Sequence, residues 1–418
     1  MKKLMIWLMA AMLMVNFFGL AGFAGTTITL AMPSHEAAIG DYFAARAVEF
    51  EAQTGIKVDF VTADWDSIAD KVLPALAAGS SAYDIVEFDN CWVAAFAETN
   101  WLLPLEDYAG EEYLEGMLPG LVDLFSSNGH LYGVTWNNDI KVDMYNAEML
   151  REVGIANPPV TWDELVEQCQ RLQAAGRVEY GFIGYWEKGQ ALANIHTVIV
   201  RSFGGRVLDE DENPMLDSPA AMAALQFMVD CIHEYKIADP ASLTTDQAVA
   251  DEVFLKGDTA FTLQCSPFVY PNSNDPELSK VVGQVKVAPK SFGATKYMGA
   301  GITLPEALAI SAGSKHPDEA WAFLEFISNK EANRGQSLVV GSLPIWSDLF
   351  NDPELLALNP YWEEVGMQSP DIEGLQMVTW YSELSEIIQV EVMNALIQAK
   401  TVEQATADMM EAIEAIEK

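Results

Sequence analysis

Apolar and polar residues alternate between strand and helix patterns over the first part of the chain. Apolar-rich runs at 26–33, 56–63 and 83–89 predict three strands, the last apolar almost throughout, as in a sheet covered on both faces. Between them, apolar residues three and four positions apart predict helices that end at Gly55 and Gly79. Strands and helices at this spacing form a parallel sheet with right-handed crossovers, and ligands bind beyond the carboxyl ends of its strands.

A stiff joint follows in the middle of the chain. Asn146 caps a predicted helix that ends at Gly154, and Asn157-Pro158-Pro159 then holds the chain extended. Thr161 and Glu164 form a capping box at the start of the next helix. Rigid caps fix the direction of this helix, so we expect the joint to orient a second lobe against the first.

Later segments repeat the same elements without an internal repeat or a low-complexity linker. A helix is predicted from Pro219, a strand ends near Cys265, another helix begins at Pro317, and two amphipathic helices close the chain. At 418 residues the chain is long enough for two or three domains, which we expect to share it through short crossings.

The first 24 residues predict a secretory signal peptide, cleaved near Ala24. Lys2 and Lys3 precede an apolar run that ends in small residues. A lipid anchor is not expected, because Phe23 stands where a lipoprotein signal would carry its cysteine. The predicted location is therefore the periplasm. Four cysteines, Cys91, Cys169, Cys231 and Cys265, allow three disulfide pairings among which the sequence does not choose, and Cys169 and Cys231 fall on apolar helix faces.

Charge narrows the classes of partner. The formal net charge is −38, and loss of Lys2 and Lys3 makes it −40. Such a field repels phosphate backbones and anionic lipids, so nucleic acid and membrane surfaces are not expected as partners. The acids are spread along the chain, which is typical of a solvated surface. A cationic ligand remains an alternative.

Several stretches together resemble the extracellular solute-binding proteins of ABC importers, in the sugar-binding family that includes maltose-binding protein. They are "MYNAEMLREVGIANPPVTWDEL", "SFGGRVLDEDENPMLDSPAAMAALQFM", "LKGDTAFTLQ" and "LAISAGSKHPDEAWAFLEFI". The resemblance covers nearly the whole mature chain. It implies an α/β, two-lobe periplasmic-binding-protein fold (type II), in which each lobe is a mainly parallel sheet flanked by helices and the ligand cleft lies between the lobes.

By analogy with this family the chain crosses between lobes near residues 135, 287 and 336. The implied domains are the signal peptide (1–24), lobe 1 (25–135 and 288–335) and lobe 2 (136–287 and 336–418). The resemblance also implies a carbohydrate ligand, the membrane permease subunits of an importer as partners, a monomer, no cofactor and no catalysis.

A sugar site needs flat aromatic surfaces and fixed amides or carboxylates, because sugars carry hydroxyls on a ring with C–H faces. Loop ends of the predicted lobes supply both types. The candidates on the first lobe and at the crossing are Ser34, His35, Glu36, Asp64, Trp65, Asp89, Asn90, Trp92, Trp136, Asn138 and Asp139. Those on the second lobe are Tyr185, Trp186, the family's glycine pair Gly204 and Gly205, Phe268, and Trp380, where many relatives carry arginine-proline instead.

Three rival interpretations are open at this point. A secreted glycoside hydrolase needs two spaced carboxylates, which 61 acids always allow, but no glycine-x-serine-x-glycine motif is present. A calcium loop at 209–213 lacks its glycine and its bidentate glutamate, so we interpret it as a hairpin turn. An anionic ligand is disfavoured because the candidate loops carry few basic residues. A neutral sugar or polyol fits better.

Overall fold

A computed structural model describes residues 25–38, 41–288, 292–295, 301–362, 365 and 372–416, without the side chains of His35, Trp65, Asp66 and Ile372. The predicted signal peptide, residues 1–24, lies outside the described residues. No helix in the described ranges combines the length and the apolarity that crossing a bilayer requires.

The described strands, in chain order, are β1 (Thr27–Pro33), β2 (Lys57–Ala63), β3 (Ile85–Asp89), β4 (Ser126–Ser127), β5 (His130–Leu131), β6 (Val134–Asn137), β7 (Val142–Asn146), β8 (Phe261–Cys265), β9 (Val285–Val287), β10 (Gly301–Ile302), β11 (Glu306–Ile310) and β12 (Ile372–Glu373). Two of the described sheets have more than two strands: a five-stranded sheet in the order β2-β1-β3-β11-β6 and a three-stranded sheet in the order β8-β7-β9. They are the centres of two lobes.

The described α-helices, in chain order, are α1 (Ser34–Ala37), α2 (Tyr42–Thr54), α3 (Trp65–Ala77), α4 (Val93–Thr99), α5 (Glu111–Leu114), α6 (Pro119–Leu124), α7 (Ala147–Glu152), α8 (Trp162–Ala174), α9 (Gln190–Ser202), α10 (Pro219–His233), α11 (Gln247–Lys256), α12 (Val269–Asn274), α13 (Pro317–Ser328), α14 (Lys330–Val340), α15 (Pro353–Leu358), α16 (Tyr381–Leu396) and α17 (Val402–Glu414). Helices α2, α13 and α14 pack together on the first lobe, and α9, α10, α16 and α17 pack together on the second.

The sheet of the first lobe is mainly parallel, as predicted. Strand β1 pairs in parallel with β2 and β3, whereas β11 runs antiparallel to β3 and β6. All five residues of β3 are buried, because helices cover both faces of the sheet. The apolar run at 83–89 therefore predicted this strand correctly.

The sheet of the second lobe differs from the expectation of a mainly parallel sheet. Its central strand β7 pairs antiparallel with both β8 and β9. Strand spacing along a sequence predicts that strands exist, but it does not determine which strand becomes central or which way that strand runs. Those features depend on tertiary pairing.

We propose that the chain crosses between the lobes at 138–141 and at 301–304, with the segment near 343 beside them. Asn138 pairs with Leu343, and Ile140 pairs with Thr303. Backbone bonds from Leu304 to Asp139 (3.0 Å) and from Lys141 to Ile302 (2.9 Å) tie two of the crossings together. Three strand segments side by side form a stiff but narrow connection, as a hinge requires.

Contacts near the crossings favour later domain limits than those that the resemblance implied. Phe292 donates its backbone N–H to Asp143 of the second lobe (3.2 Å), and the Gly293 carbonyl accepts from Trp162 (3.0 Å). Helix α14 packs on α2, and its Arg334 forms ion pairs with Asp352 and Glu354, so the chain stays on the first lobe beyond α14. We therefore propose limits near 139 and 302 and a third after residue 354.

The stiff joint forms as its caps predict. The Asn146 side chain accepts from Glu148 and Met149, and Gly154 adopts a φ of +73°. Thr161 caps α8 by accepting from the Glu164 amide (3.2 Å), while the Glu164 carboxylate accepts from Val160, one residue earlier than in a standard capping box.

The burial of Cys169 and Cys231 and the turn at 209–213 agree with the interpretation of the sequence. All four cysteines are buried free thiols, including Cys169 and Cys231 on their helix faces. The segment 209–213 is a turn closed by pairing of Leu208 with Pro214.

Candidate functional site

A cavity of about 80 Å³ lies beyond the carboxyl ends of β1 and β3, where the two lobes meet. Its apolar wall consists of Pro33, Ile68, Ala69, Val72, Phe88, Trp92 and Phe96. Its polar side consists of Glu87, Asp89 and Gln190. Gln190 begins α9 of the second lobe, whereas the other lining residues belong to the first, so the cavity lies in the cleft between the lobes.

The register of the first sheet gathers its polar side chains on one face. Glu87 and Asp89 are two positions apart on β3, so they point to the same side. Glu306 lies directly opposite Asp89, and Asn137 lies opposite Glu306. Carboxylates facing each other across neighbouring strands destabilise a sheet, which favours a functional origin for this arrangement.

Glu87 is held by a buried tryptophan. The Trp136 indole N–H donates to the Glu87 carboxylate (Oε1) at 2.8 Å, and the Trp136 ring packs edge-on against Phe43 with centroids 4.9 Å apart. Trp136 is therefore a core residue that positions a carboxylate, and its ring faces are not available to a ligand.

Asp89 links the two lobes. Its carboxylate (Oδ2) accepts a hydrogen bond from the Gln190 side-chain amide at 2.8 Å. The pKa of Asp89 is raised to about 7, chiefly by burial and also by the neighbouring Glu36, while the bond from Gln190 opposes both. Near neutral pH this carboxyl can both accept and donate hydrogen bonds.

Glu87 and Glu306 share this electrostatic environment. Burial raises the pKa of both carboxyls well above its ordinary value, and the proximity of Glu36 raises it further in each case. Glu306 also accepts from the Asn137 amide at 2.6 Å. These groups titrate as a coupled cluster, which offers donors and acceptors side by side.

One buried cation faces this cluster from the crossing. Lys141 forms an ion pair with Asp139 at 2.5 Å and donates to the Ser266 hydroxyl at 2.7 Å. Burial lowers the pKa of Lys141, but the charge and hydrogen bond of Asp139 outweigh burial and raise it overall. Burial also raises the pKa of the nearby Asp251 to about 7.

Several predicted residues do meet at this site. Glu36, Asp89 and Asp139 belong to the carboxylate cluster, and Trp92 lines the cavity. Asn90 and Asn138 lie at the lobe boundary and bind backbone carbonyls, those of Leu375 (3.3 Å) and Pro344 (3.1 Å) respectively. They stabilise the junction.

Other first-lobe candidates lie away from the cluster or outside the description. Asp64 is exposed and caps α3 by accepting from the Ser67 amide at 3.0 Å. Ser34 is exposed at the start of α1. The side chains of His35 and Trp65 lie outside the described part of the chain.

The second-lobe aromatic candidates are mostly core residues. Tyr185 donates to the Gln264 carbonyl, Trp186 packs edge-on against Phe182 with centroids 5.9 Å apart, and the Trp380 indole donates to Glu212 at 3.4 Å. All three candidates are buried in the second lobe. Phe268 is half-buried against the other core. None of these four rings lines the described cavity.

Gly204 and Gly205 end a helix rather than meeting a ligand. Gly204 has a φ of +80° at the carboxyl end of α9. A Cβ on Gly205 would lie 2.9 Å from Val200 and 3.2 Å from the backbone of Ala221, so this glycine lets α10 pack closely. The opposite end of α9 lines the cavity, about 18 Å away at 1.5 Å per residue.

Sequence reasoning did not select Glu87, Glu306, Gln190 or Lys141 as site residues. The sequence does carry a signal for the two glutamates. Each lies in a largely apolar strand, where burying an acid costs free energy and therefore suggests a functional role. Gln190 follows no such pattern. In the described residues no three His, Cys, Asp or Glu side chains have the geometry to hold a metal ion.

Comparison with known proteins identifies the family. The profile described as "Bacterial extracellular solute-binding protein" matches residues 33–334. The chain belongs to this family of bacterial extracellular solute-binding proteins. These are the binding proteins of ABC transporters, which implies a small-molecule ligand, membrane permease partners and an extracytoplasmic location. The resemblance that the sequence carries is confirmed.

Solved structures share the fold of this solute-binding protein. The maltose-bound MalE3 of T. maritima superimposes with a TM-score of 0.87 and 27% identity, over 93% of this chain and 99% of that one. A solute-binding protein of Agrobacterium radiobacter K84 in complex with ribitol gives a TM-score of 0.85 at 23% identity, over 94% and 100%. The two-lobe, type II fold class is confirmed.

A sequence relative of this chain is also named as a sugar-binding protein. The maltotriose-binding protein of Pyrococcus abyssi is 25% identical over 283 residues, which make up 67% of this chain and 58% of the relative.

Proposed function

We propose that this solute-binding protein captures a neutral carbohydrate, namely a sugar, an oligosaccharide or a polyol, by hinge closure. It delivers this ligand to the membrane permease of an ABC importer. The observation that carries the proposal is the cavity between the lobes, which has carboxyls and an amide on one side and an apolar wall on the other. The protein acts as an exported monomer, and its charge disfavours nucleic acid.

Two faces of this kind match the chemistry of a sugar. Hydroxyl groups need fixed acceptors and donors, which the cluster around Glu87 and Asp89 offers. Ring C–H groups need apolar contact, which Ile68, Val72 and Trp92 offer. Relatives whose names mention maltose, ribitol and maltotriose support the same class of ligand.

The glycosidase alternative is less well supported. Glycoside hydrolysis needs two carboxyls that flank the scissile bond from different sides. The two carboxyls that line this cavity, Glu87 and Asp89, come from one strand and point the same way. We therefore propose binding without catalysis, and a glycosidase assay on the purified protein tests this part directly.

Thermal unfolding against a panel of sugars, polyols, amino acids and divalent cations tests the proposed ligand class. A ligand at 1,000 times its dissociation constant should stabilise the folded protein by about 4 kcal/mol. We expect a shift confined to sugars or polyols. A shift only with cations or amino acids would exclude a carbohydrate, and would favour the non-sugar alternative.

The variant Asp89→Asn links any shift to this cavity. Asparagine keeps only one of the two acceptor oxygens of the carboxylate, so we expect at least a tenfold loss of affinity. The control is Asp70→Asn, the same change at an exposed position on α3. Equal affinity in both variants would show that the ligand binds outside this cavity.

A further inference from the structure

We infer that the ligand is a single sugar ring or an acyclic polyol of similar size, held with one apolar face against α3 and Trp92, rather than an oligosaccharide. The inference rests on the proposed function and narrows its ligand class. Three independent features of the described residues support it: the size of the cavity, the closure of the lobes around it and the scarcity of aromatic faces.

The cavity has the volume of one ring. The space open to the centres of water molecules is about 80 Å³. Taken as a sphere and widened by the 1.4 Å radius of water, this space is about 8 Å across, which matches the span of a single hexose ring. A second ring would need a groove that continues beyond this space.

The lobes close around the cavity. Asp89 bonds to Gln190 across the cleft, and Asn90 donates to the carbonyl of Leu375. The next residue, Cys91, is wholly buried within the hydrophobic core of the second lobe. The loop after β3 therefore inserts into the opposite lobe and blocks the path that an extended ligand would follow on that side.

Aromatic faces are scarce at the cavity. Oligosaccharide sites stack successive rings on successive aromatic side chains, yet Trp136, Tyr185, Trp186 and Trp380 are all buried within the lobes. Three described aromatic side chains line the cavity: Phe88 and Phe96 are buried in the core, and the half-buried Trp92 stands edge-on to Phe96 with centroids 5.6 Å apart. A single half-buried indole can contact one sugar ring.

The wall opposite the carboxyls supplies the remaining contact. Ile68, Ala69 and Val72 follow one another on a single face of α3 and line the cavity. A ring with C–H groups on one face and hydroxyls along its edge fills this space with both needs met. A ligand without C–H surface to place on this aliphatic wall would leave polar groups there without partners.

Matched pairs of ligands test the size limit. The full mature protein is titrated calorimetrically with glucose, maltose and maltotriose, with mannitol and maltitol, and with galactose and lactose. We expect measurable affinity for at least one single-unit member, and at least tenfold weaker affinity for its longer partner. Tighter binding of the longer partner would overturn the size limit and leave the proposed carbohydrate function standing. Binding of no carbohydrate would overturn both.

The variant Ala69→Phe tests whether the cavity itself holds the ligand. Filling it should weaken binding of the single-unit ligand at least tenfold. The control is Ala77→Phe, the same change at an exposed position of the same helix. Unfolding temperatures of both unliganded variants show whether they fold. Undiminished binding by a folded Ala69→Phe variant would overturn the inference, as would equal losses in the two variants.

Discussion

Single acidic side chains carry most of the chemistry of this protein. Glu87 and Glu306 lie in strands that are otherwise apolar, and Asp89 ends one of them. Each is buried among other carboxyls, with Lys141 as the nearby cation that lowers the pKa of Asp89 and of Glu306. Ordinary packing would replace such groups by apolar residues, because unpaired buried charge is costly. Their retention is consistent with a ligand that uses them.

The raised pKa values predict a pH dependence of stability. The pKa of an aspartate in the unfolded chain is about 3.9, whereas that of Asp89 in the folded protein is about 7. Between these values the folded state binds more protons, so the free energy of unfolding falls as pH rises. We expect a higher unfolding temperature at pH 5 than at pH 8, because the free energy of unfolding falls over this range by an amount on the order of a few kcal/mol.

Calorimetry of the unliganded protein across this range measures the slope. Asp89→Asn should make the slope smaller, because the amide does not titrate, whereas Asp70→Asn at an exposed position should leave it unchanged. A wild-type protein that becomes less stable as the pH is lowered from 8 to 5 would contradict the predicted direction of this pH dependence.

Local capping determines how the elements of the second lobe begin. Thr161 starts α8, and the Trp162 that follows it donates its indole N–H to Ser202 at 2.8 Å and packs edge-on against Phe292. The cap therefore orients a helix that contacts both α9 and the segment leading to the second crossing. Such caps are readable from sequence because they depend on neighbouring residues alone.

Removing this cap should cost stability without removing the site. We expect Thr161→Ala to lower the free energy of unfolding by about 1 kcal/mol, since an amide of α8 loses its partner. Thr161→Ser keeps the hydroxyl and should be nearly neutral. Urea denaturation measures both, and a loss in the serine variant equal to that in the alanine variant would contradict a capping role.

Two lobes joined by narrow crossings make the molecule a clamp. The bond between Asp89 and Gln190 spans the cleft and exists only when the lobes are together. Binding energy from a ligand that contacts both lobes shifts the population toward this closed arrangement.

Closure should be visible in solution. Small-angle scattering is expected to give a smaller radius of gyration with ligand than without it. Gln190→Ala should weaken ligand binding and raise the radius of gyration of the unliganded protein, because it removes one bond of the closed form. The exposed Gln53→Ala is the matched control. An unchanged radius in every case would contradict the hinge.

Much of this architecture was readable from the sequence, and the reasons are local. The strand and helix periodicities, the caps at Asn146 and Thr161 and the family resemblance depend on residues that are close along the chain. The site was readable only in part. Asp89, Glu36 and Trp92 were predicted from their positions after strands and Asp139 from its position at the crossing, and the structure brings them to the cleft.

Tertiary structure alone decided the rest. The pairing of β11 with β3 sets Glu306 against Asp89, although the two residues are more than two hundred positions apart. Burial within a lobe decided that Trp136 and Trp186 are core residues, because an aromatic side chain has the same pattern in a core as at a binding surface. Sequence therefore determined the elements and the family, whereas long-range packing determined which side chains face the ligand.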